Sequence, residues 1–232
     1  MTIENTISTL YQIAPAVDTF TNMESFKRLT ERECPKVDLP LMKLANLIRE
    51  LEAEQRRQGA KSLGKGNPMK IAEKILKRGA KIRPALGYAA IVDNNQYICD
   101  SFICVCYGKE NHLPLEPMPE NISPMDYEKC FPKVNGEEVE LPDLKALKNY
   151  IKMQKALTKG IKAAKGNTII YDFGIGQMPF DAQLLAEIIE MLPNAKAELV
   201  NYMLVFKDEQ GNKGLLCGVR PPQGKERKKT EI

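Results

Sequence analysis

Apolar side chains recur every three or four residues through most of the first part of the chain, which is the pattern of amphipathic helices. Residues 1–57 are predicted to be helical, with one candidate helix at 21–33 and a longer one at 39–57. A shorter helix at 67–78 is predicted to begin at Asn67-Pro68. Asparagine caps helix starts well, and proline is favoured at the first helical position.

The pattern changes to short strands in two later regions. Residues 85–108 are rich in β-branched and aromatic side chains, and turn signals divide them into three predicted strands at about 85–92, 95–100 and 102–108. A predicted strand at 168–173 and helix at 181–192 precede three more strands, at about 195–200, 202–208 and 214–219. One helix followed by three strands thus occurs twice. This order predicts an α+β fold made of two helix-plus-antiparallel-meander halves.

Composition between these elements predicts the domain boundaries. Residues 59–67 are rich in glycine and lysine, which predicts a flexible linker after a helical region at 1–58. Residues 109–142 hold six prolines and are predicted to be an extended connection. The main α+β domain would cover 68–221, and a disordered basic tail would follow at 222–232.

A row of lysines marks residues 144–165, where no acidic residue occurs. The steps between these lysines alternate three and four, so all of them project from one side of a helix: Lys145, Lys148, Lys152, Lys155, Lys159 and Lys162. An adjacent apolar stripe completes the amphipathic pattern: Leu147, Tyr150, Met153, Leu157 and Ile161. Unpaired positive charges repel one another, so the row favours a polyanion such as a nucleic-acid backbone. The alternative is a solvated helix surface.

A second basic region precedes the first strands. Residues 56–83 carry ten basic side chains against the single acid Glu73. Four of the lysines lie on the polar side of the predicted 67–78 helix and its end: Lys70, Lys74, Lys77 and Lys81. Net charge of the chain is only +4, so the patches carry more information than the total. Residues 1–54, by contrast, hold nine acids against six bases, and these helices could bind a protein partner or cover the basic helix.

Residues that could carry catalysis or bind a metal are few. The six cysteines lack zinc-site spacing and are predicted to be reduced thiols: Cys34, Cys99, Cys104, Cys106, Cys130 and Cys217. His112 is the only histidine, in a proline-rich connection where a surface position is expected. Gly174-Ile175-Gly176 follows a predicted strand but lacks a third glycine, so a loop is expected rather than a nucleotide site. We therefore expect no enzyme, no metal and no cofactor.

The chain has no apolar run long enough to span a bilayer, and its polar start does not resemble a signal peptide. We expect a cytoplasmic protein without a membrane partner.

Three short motifs resemble one domain of the bacterial DNA sliding clamp family, the DNA polymerase III β-subunit type. Residues 82–86 (IRPAL) resemble the arginine-proline segment before the first meander, and residues 126–132 (DYEKCFP) resemble the connection between half-domains. Residues 180–185 (FDAQLL) and 215–221 (LLCGVRP) are similar to the last helix and final strand. The resemblance covers about residues 67–221. It implies two β-α-β-β-β halves whose helices face duplex DNA, and a replication-related processivity factor, for which a prophage or other mobile element is one source.

The chain also departs from that family. It has room for one such domain, whereas the family surrounds DNA with several, and the lysine-rich helix and the N-terminal helices are additions. Asp181, Glu187 and Glu190 are expected on the polar side of the last helix, where carboxylates would repel phosphates. The main hypothesis is a non-catalytic, sequence-tolerant DNA-binding accessory protein. The alternatives are a protein-interaction module with a degenerate clamp fold and, more remotely, an enzyme whose site is invisible in the sequence. The sequence leaves the oligomeric state open.

Overall fold

The computed structural model describes residues 3–22, 39–133, 136–159, 168–174 and 179–219, with side chains omitted at 16–22 and 39–43. The chain divides into two compact units, Met1–Gly66 and Asn67–Ile232. Five α-helices and nine β-strands lie in these ranges.

The first unit contains α1 (Ile3–Asn22) and α2 (Leu39–Ser62), which pack against each other. The Tyr11 hydroxyl of α1 donates a hydrogen bond of 2.7 Å to Glu52 of α2. The helical character expected for this region is therefore present over the described residues. Most of the candidate helix at 21–33, and Cys34, lie outside the described residues.

The second unit contains the remaining elements. Three helices occur: α3 (Gly66–Gly79, which begins at the last residue of the first unit), α4 (Leu144–Thr158) and α5 (Ala182–Met191). The strands are β1 (Ala90–Val92), β2 (Asn95–Cys99), β3 (Ile103–Tyr107), β4 (Glu137–Val139), β5 (Ile170–Tyr171), β6 (Phe180–Asp181), β7 (Lys196–Val200), β8 (Met203–Lys207) and β9 (Lys213–Cys217). Aspartates begin two of the helices, because Asp143 accepts the backbone N–H of Ala146 and Asp181 accepts those of Gln183 and Leu184.

Seven of these strands form one antiparallel sheet in the order β1-β2-β3-β9-β8-β7-β4. The two meanders meet at the β3–β9 pair, where Ile103 lies opposite Leu216. Each meander runs outward from this pair in the same order, β3-β2-β1 on one side and β9-β8-β7 on the other, and β4 extends the second side by one strand. The expected α+β class with an antiparallel sheet is confirmed.

Helix α5 packs closely on the middle of the sheet. A Cβ atom placed on Gly214 of β9 would lie 2.8 Å from Ile188 Cδ1 and from Leu192 Cδ1, so only a glycine lets the helix come this near. The Tyr107 hydroxyl of β3 donates a 3.0 Å hydrogen bond to the carbonyl of Met191 at the end of the helix. The inner surface of this helix is therefore attached to both halves of the sheet.

The opposite surface of the sheet is covered over its first half by the proline-rich connection. Tyr127 of this connection stacks on Tyr97 of β2, with ring centroids 5.2 Å apart and planes at 13°. Around this pair lies a cluster of buried side chains from β1, β2, β3 and β9, including Cys99, Cys104 and Cys106. The side chains of the two sheet surfaces alternate along each strand, so the sheet carries two separate cores.

Several predicted boundaries were wrong. Helix α2 continues to Ser62, so residues 59–62 of the expected linker at 59–67 are helical, and α3 begins at Gly66. The first strand starts at Ala90 instead of 85, because Pro84 fixes φ and begins a short 3-10 turn (Pro84–Gly87). The expected extended connection at 109–142 contains the strand β4.

Two further elements are shorter than predicted. The strand expected at 168–173 comprises only Ile170–Tyr171, which pairs with Phe180–Asp181 in a small separate sheet. Helix α4 ends at Thr158, since Lys159 has extended backbone angles. Residues 160–167 lie outside the described residues, as does the tail expected at 222–232.

Candidate nucleic-acid interface

The first predicted lysine row lies on α3 and just beyond it. Met69, Ala72, Ile75 and Leu76 are the buried side of this helix, and the lysines project from the other sides because of their spacing. All four lysines of the row are exposed: Lys70, Lys74, Lys77 and Lys81. Lys74 pairs with Glu187 of α5, whereas the other three make no ion pair with any part of the chain that the structure describes.

The second row lies on α4, from its first turn to its C-cap. Its described members are all exposed: Lys145, Lys148, Lys152, Lys155 and Lys159. Lys148 pairs with Glu190 of α5 at 2.7 Å, and Lys155 donates a 2.9 Å hydrogen bond to the side-chain amide of Gln183. Within the described ranges, Lys145, Lys152 and Lys159 form no ion pair. Lys162 lies outside the described residues.

The apolar stripe predicted for α4 was only partly correct. Leu147 is buried, and so is Ile151, which the prediction did not include. Met153 and Leu157 are 55% and 65% exposed. Ile161 lies outside the described residues. The helix packs against α5 and buries the side that contains Leu147 and Ile151.

The carboxylates of α5 do not form the repulsive surface that the sequence indicated. Asp181 caps the helix, since its Oδ1 accepts the N–H groups of Gln183 and Leu184. Glu187 is buried, with 7% of its surface exposed, and its two oxygens meet Lys74 and Arg78. Glu190 pairs with Lys148. Each carboxylate therefore has a hydrogen-bond donor or a cation as its partner, which removes most of the negative field that it would direct at a phosphate.

Arg78 is the centre of a network that the sequence analysis did not identify. Its Nε donates to Asp100 Oδ2 at 2.6 Å, and its Nη2 lies 2.8 Å from Glu187 Oε2. Asp100 is completely buried, and its other oxygen accepts the N–H groups of Phe102 and Ile103 in the β2–β3 turn. Nothing local in the sequence marks this network, because its members come from α3, the β2–β3 turn and α5.

Arg78 is kept in its charged form by its two carboxylate partners. Burial acts to lower the pKa of the Arg78 guanidinium, but the hydrogen bonds and charges of Asp100 and Glu187 outweigh it and raise that pKa. The buried Arg78 Nη2 and Glu187 Oε2 atoms make no hydrogen bond of good geometry and rely on their mutual ion pair. An arginine between two carboxylates links α3, α5 and the sheet through a planar fork of donors.

The two lysine rows meet at α5. Lys74 reaches Glu187 and Lys148 reaches Glu190, and these glutamates are three positions apart, so they are neighbours on the helix, about 5–6 Å apart between Cβ atoms. Rows that begin on different helices are therefore brought to the same turn of α5. Together they leave seven described lysines without a carboxylate partner: Lys70, Lys77, Lys81, Lys145, Lys152, Lys155 and Lys159. The tertiary structure thus produces a basic surface that has little opposing charge.

Five cysteines are described, and all are free thiols: Cys99, Cys104, Cys106, Cys130 and Cys217. Cys99 lies directly opposite Cys104 in the β2–β3 ladder. Burial raises the pKa of the Cys130 and Cys217 thiols, because a thiolate would lose solvation there. In the described ranges, no group of three or more histidine, cysteine or acidic side chains is arranged to hold a metal ion. His112 has a ring nitrogen 3.1 Å from the carbonyl of Asn94.

None of the helices in the described residues combines the length and apolar character needed to cross a membrane. Comparison of the chain with protein-family models, with curated proteins and with solved structures found no match.

Proposed function

We propose that this chain is a non-catalytic accessory protein that binds duplex DNA through phosphate contacts and without reading base sequence. The observation that carries the proposal is the convergence of two exposed lysine rows on α5, whose carboxylates are already paired. Lysines on this surface present point charges to phosphates and have no planar arrangement for base edges. Such binding would be tolerant of sequence and sensitive to salt.

The dimensions of α4 suit this role. Lys145 and Lys159 are fourteen positions apart on or next to the helix, which corresponds to a length of about 21 Å. Phosphates follow each strand of B-DNA with an axial rise of about 3.4 Å. The row is therefore long enough to meet several successive phosphates, and the α3 row adds a second set of contacts.

The order of elements supports a relation to one sliding-clamp domain. Each half of the sheet has a helix and a three-stranded meander, and the halves meet at β3 and β9. Helix α3, which carries one lysine row, would face DNA, as the resemblance of residues 67–221 implies. Helix α4 is an addition to that pattern, and its row would extend the contacts. Because the second unit has room for only one such domain, we propose a clamp-like binding module associated with replication and do not extend the proposal to a complete ring.

A titration of a short labelled duplex tests the proposal. Fluorescence anisotropy would be measured with the full chain at two salt concentrations, about 50 and 200 mM. The variant Lys145→Gln, Lys152→Gln and Lys159→Gln removes three unpaired charges. If each lysine meets one phosphate, the slope of log affinity against log salt should flatten by about 0.9 per contact.

A matched control distinguishes this surface from general charge. Lys61, Lys109 and Lys133 are exposed and lie outside the two rows, so changing them to glutamine removes the same net charge. The control should bind duplexes of different sequence almost as the native chain does. An equal loss of affinity in both variants, or no binding of the native chain to duplex or single strands at low salt, would reject the proposal.

A protein-interaction role through the first unit is the second candidate. Tyr11, Ile13 and Leu47 of α1 and α2 are 55%, 44% and 45% exposed, and apolar side chains of this kind are typical of interface cores. This candidate gains support if DNA binding is absent and a variant with Tyr11→Ser and Leu47→Ser changes the mass of the native complex in cell extract.

A further inference from the structure

A second group of lysines lies on the sheet surface opposite to α5. Lys196 of β7 is directly opposite Lys207 of β8, and Lys207 is directly opposite Lys213 of β9. Directly opposed residues of antiparallel strands project from the same surface, about 4.5–5.5 Å apart between Cβ atoms. The three exposed lysines therefore form one row across three strands. Like charges in this register destabilise a sheet, so the row needs an explanation beyond folding.

One lysine of the row already binds a carboxylate of the chain itself. Glu198 accepts from Lys207 at 3.2 and 3.3 Å, and it also accepts the N–H of Gly136. The N–H of Gly136 and the charge of Lys207 lower the pKa of Glu198. In the described part of the chain, Lys196 and Lys213 have no carboxylate of this kind.

The row continues into a cavity of about 320 Å³ beside Lys213. Lys133 and Lys213 supply positive charge at its wall, and Phe131 and Pro132 supply apolar surface. From β3, where the cavity begins, to Lys196 on β7 there are three strand spacings, or about 14 Å. This distance is longer than the diameter of a small anion, whereas an extended polypeptide of four or five residues spans it.

A polypeptide suits this surface better than a nucleic acid does. The Tyr97 ring is stacked on Tyr127 and only 3% exposed, so it offers no free surface for a base. Glu138 lies opposite Glu198 at one end of the row, and Glu128 lines the cavity at the other. A phosphate backbone carries a charge at every nucleotide and would meet these carboxylates, whereas a polypeptide can place neutral side chains beside them.

We propose that the sheet surface formed by Lys196, Lys207 and Lys213 binds an acidic polypeptide segment, with one apolar side chain of the segment in the cavity beside Phe131. This surface lies on the other side of the sheet from the proposed DNA contacts, so the two activities are separate. An acidic segment of a partner protein could therefore be held while α3 and α4 contact DNA.

The test uses a short fluorescein-labelled peptide rich in glutamate with one central leucine, titrated with the full chain. Changing Lys196 and Lys213 to glutamine should weaken binding about tenfold, equivalent to about 1.4 kcal/mol, and leave the Glu198–Lys207 pair in place. The same change should not lower the midpoint of urea unfolding, because it removes like-charge repulsion. Replacing the leucine of the peptide with glycine should also weaken binding.

A matched variant keeps this test independent of DNA binding. Changing Lys152 and Lys159 of α4 to glutamine removes the same charge and should leave peptide affinity unchanged. The proposal is overturned if the peptide does not bind saturably, or if both double variants weaken it equally. It is also overturned if a single-stranded oligonucleotide displaces the peptide and itself loses affinity in the Lys196→Gln, Lys213→Gln variant, since the occupant would then be a nucleic acid.

Discussion

The two halves of the sheet domain have the same order of elements, a helix followed by a meander: α3 with β1–β3, and α5 with β7–β9. They differ in the charge of the helix and in what covers the other surface of the meander. Helix α3 has exposed lysines on its outer side, whereas α5 keeps Glu187 buried between cations. On the other surface of the sheet, the proline-rich connection covers the first meander around Tyr127. The second meander leaves Lys196 and Lys207 exposed there.

The same order of elements therefore carries different charges in the two halves. The acidic helix lies at the centre of the packing and receives cations from α3 and α4, so its negative charge organises the neighbouring helices. The basic helices are left to present charge to a partner. The helices lie on one surface of the sheet and the connection covers only the first half of the other, so lysines are exposed on both sides of the domain.

The strongest test of the comparison is removal of Arg78, which joins the two halves. Arg78→Ala would leave Asp100 and Glu187 buried without their shared cation, which should lower the free energy of unfolding by about 3–5 kcal/mol. Urea denaturation followed by circular dichroism measures this change. The neighbouring Lys77→Ala should alter stability little, because Lys77 is exposed. A similar small loss for both variants would show that the carboxylates do not depend on Arg78.

The close contact of α5 with the sheet can be tested at Gly214. Valine at this position would press its Cβ against Ile188 and Leu192, at 2.8 Å in the native geometry. Overpacking of this kind costs about 1–3 kcal/mol of unfolding free energy. Gly108→Ala is the matched control, because Gly108 has φ of −65° and no atom within 4 Å of an added Cβ. If Gly214→Val is as stable as the control, α5 is packed less tightly against the sheet than the 2.8 Å contacts indicate.

A substitution at Glu190 tests whether α5 neutralises lysines of the proposed DNA surface. Glu190→Gln would release Lys148 from its ion pair, so the proposed DNA surface would gain one free cation. Duplex affinity should rise about threefold, and the slope of log affinity against log salt should steepen by about 0.9. Anisotropy measures both quantities. Glu120→Gln, in the exposed part of the connection, changes the net charge equally and should have no such effect; a rise in both variants would count against a specific role for Glu190.

The smallest expected change in stability is at Tyr127, which packs only on the first half of the sheet. Its hydroxyl is buried and has no hydrogen-bond partner among the described residues. Tyr127→Phe should therefore leave stability unchanged or raise it by up to about 1 kcal/mol at neutral pH. Urea denaturation at neutral pH measures this. A loss of more than about 1 kcal/mol would show that the hydroxyl has a partner.

The same tyrosine predicts a dependence on alkaline pH. Burial raises the pKa of Tyr127 from 10.0 to about 12. Its neutral form is thus favoured in the folded state, and the resulting stability is complete below pH 10 and lost as the pH rises towards about 12. Tyr127→Phe should lose less stability over this interval than the native chain. Tyr202→Phe, at a residue that is 61% exposed, should behave as the native chain does.

Much of the fold could be predicted from local patterns. The meander strands β2, β3, β7, β8 and β9 lie within one or two residues of the segments indicated by β-branched residues and turns. Helices α3 and α5 begin where Asn67-Pro68 and Asp181 predict, to within a residue. The lysine rows on α3 and α4 were also visible, because helical spacing alone places them on one side. Their expected contact with DNA stays a prediction.

The remainder required long-range information. Glu187 and Glu190 have the spacing of exposed residues on α5, and only the approach of Lys74, Arg78 and Lys148 turns them into paired, partly buried groups. The linker prediction at 59–67 was wrong over residues 59–62, because Gly59 lies inside the helix that continues to Ser62. Met153 and Leu157 were expected in an apolar stripe, and the packing of α4 left them exposed.

The sequence by itself determined where most of the helices and meander strands form and which charges share a helix side, because these properties depend on neighbours a few positions apart. Tertiary structure alone decided that β3 pairs with β9, that Asp100 meets Arg78, and that Lys196, Lys207 and Lys213 align in one row. Strand register and ion pairs between distant elements depend on how the whole chain packs, and a shift of one residue in β8 would move Lys207 to the other surface of the sheet.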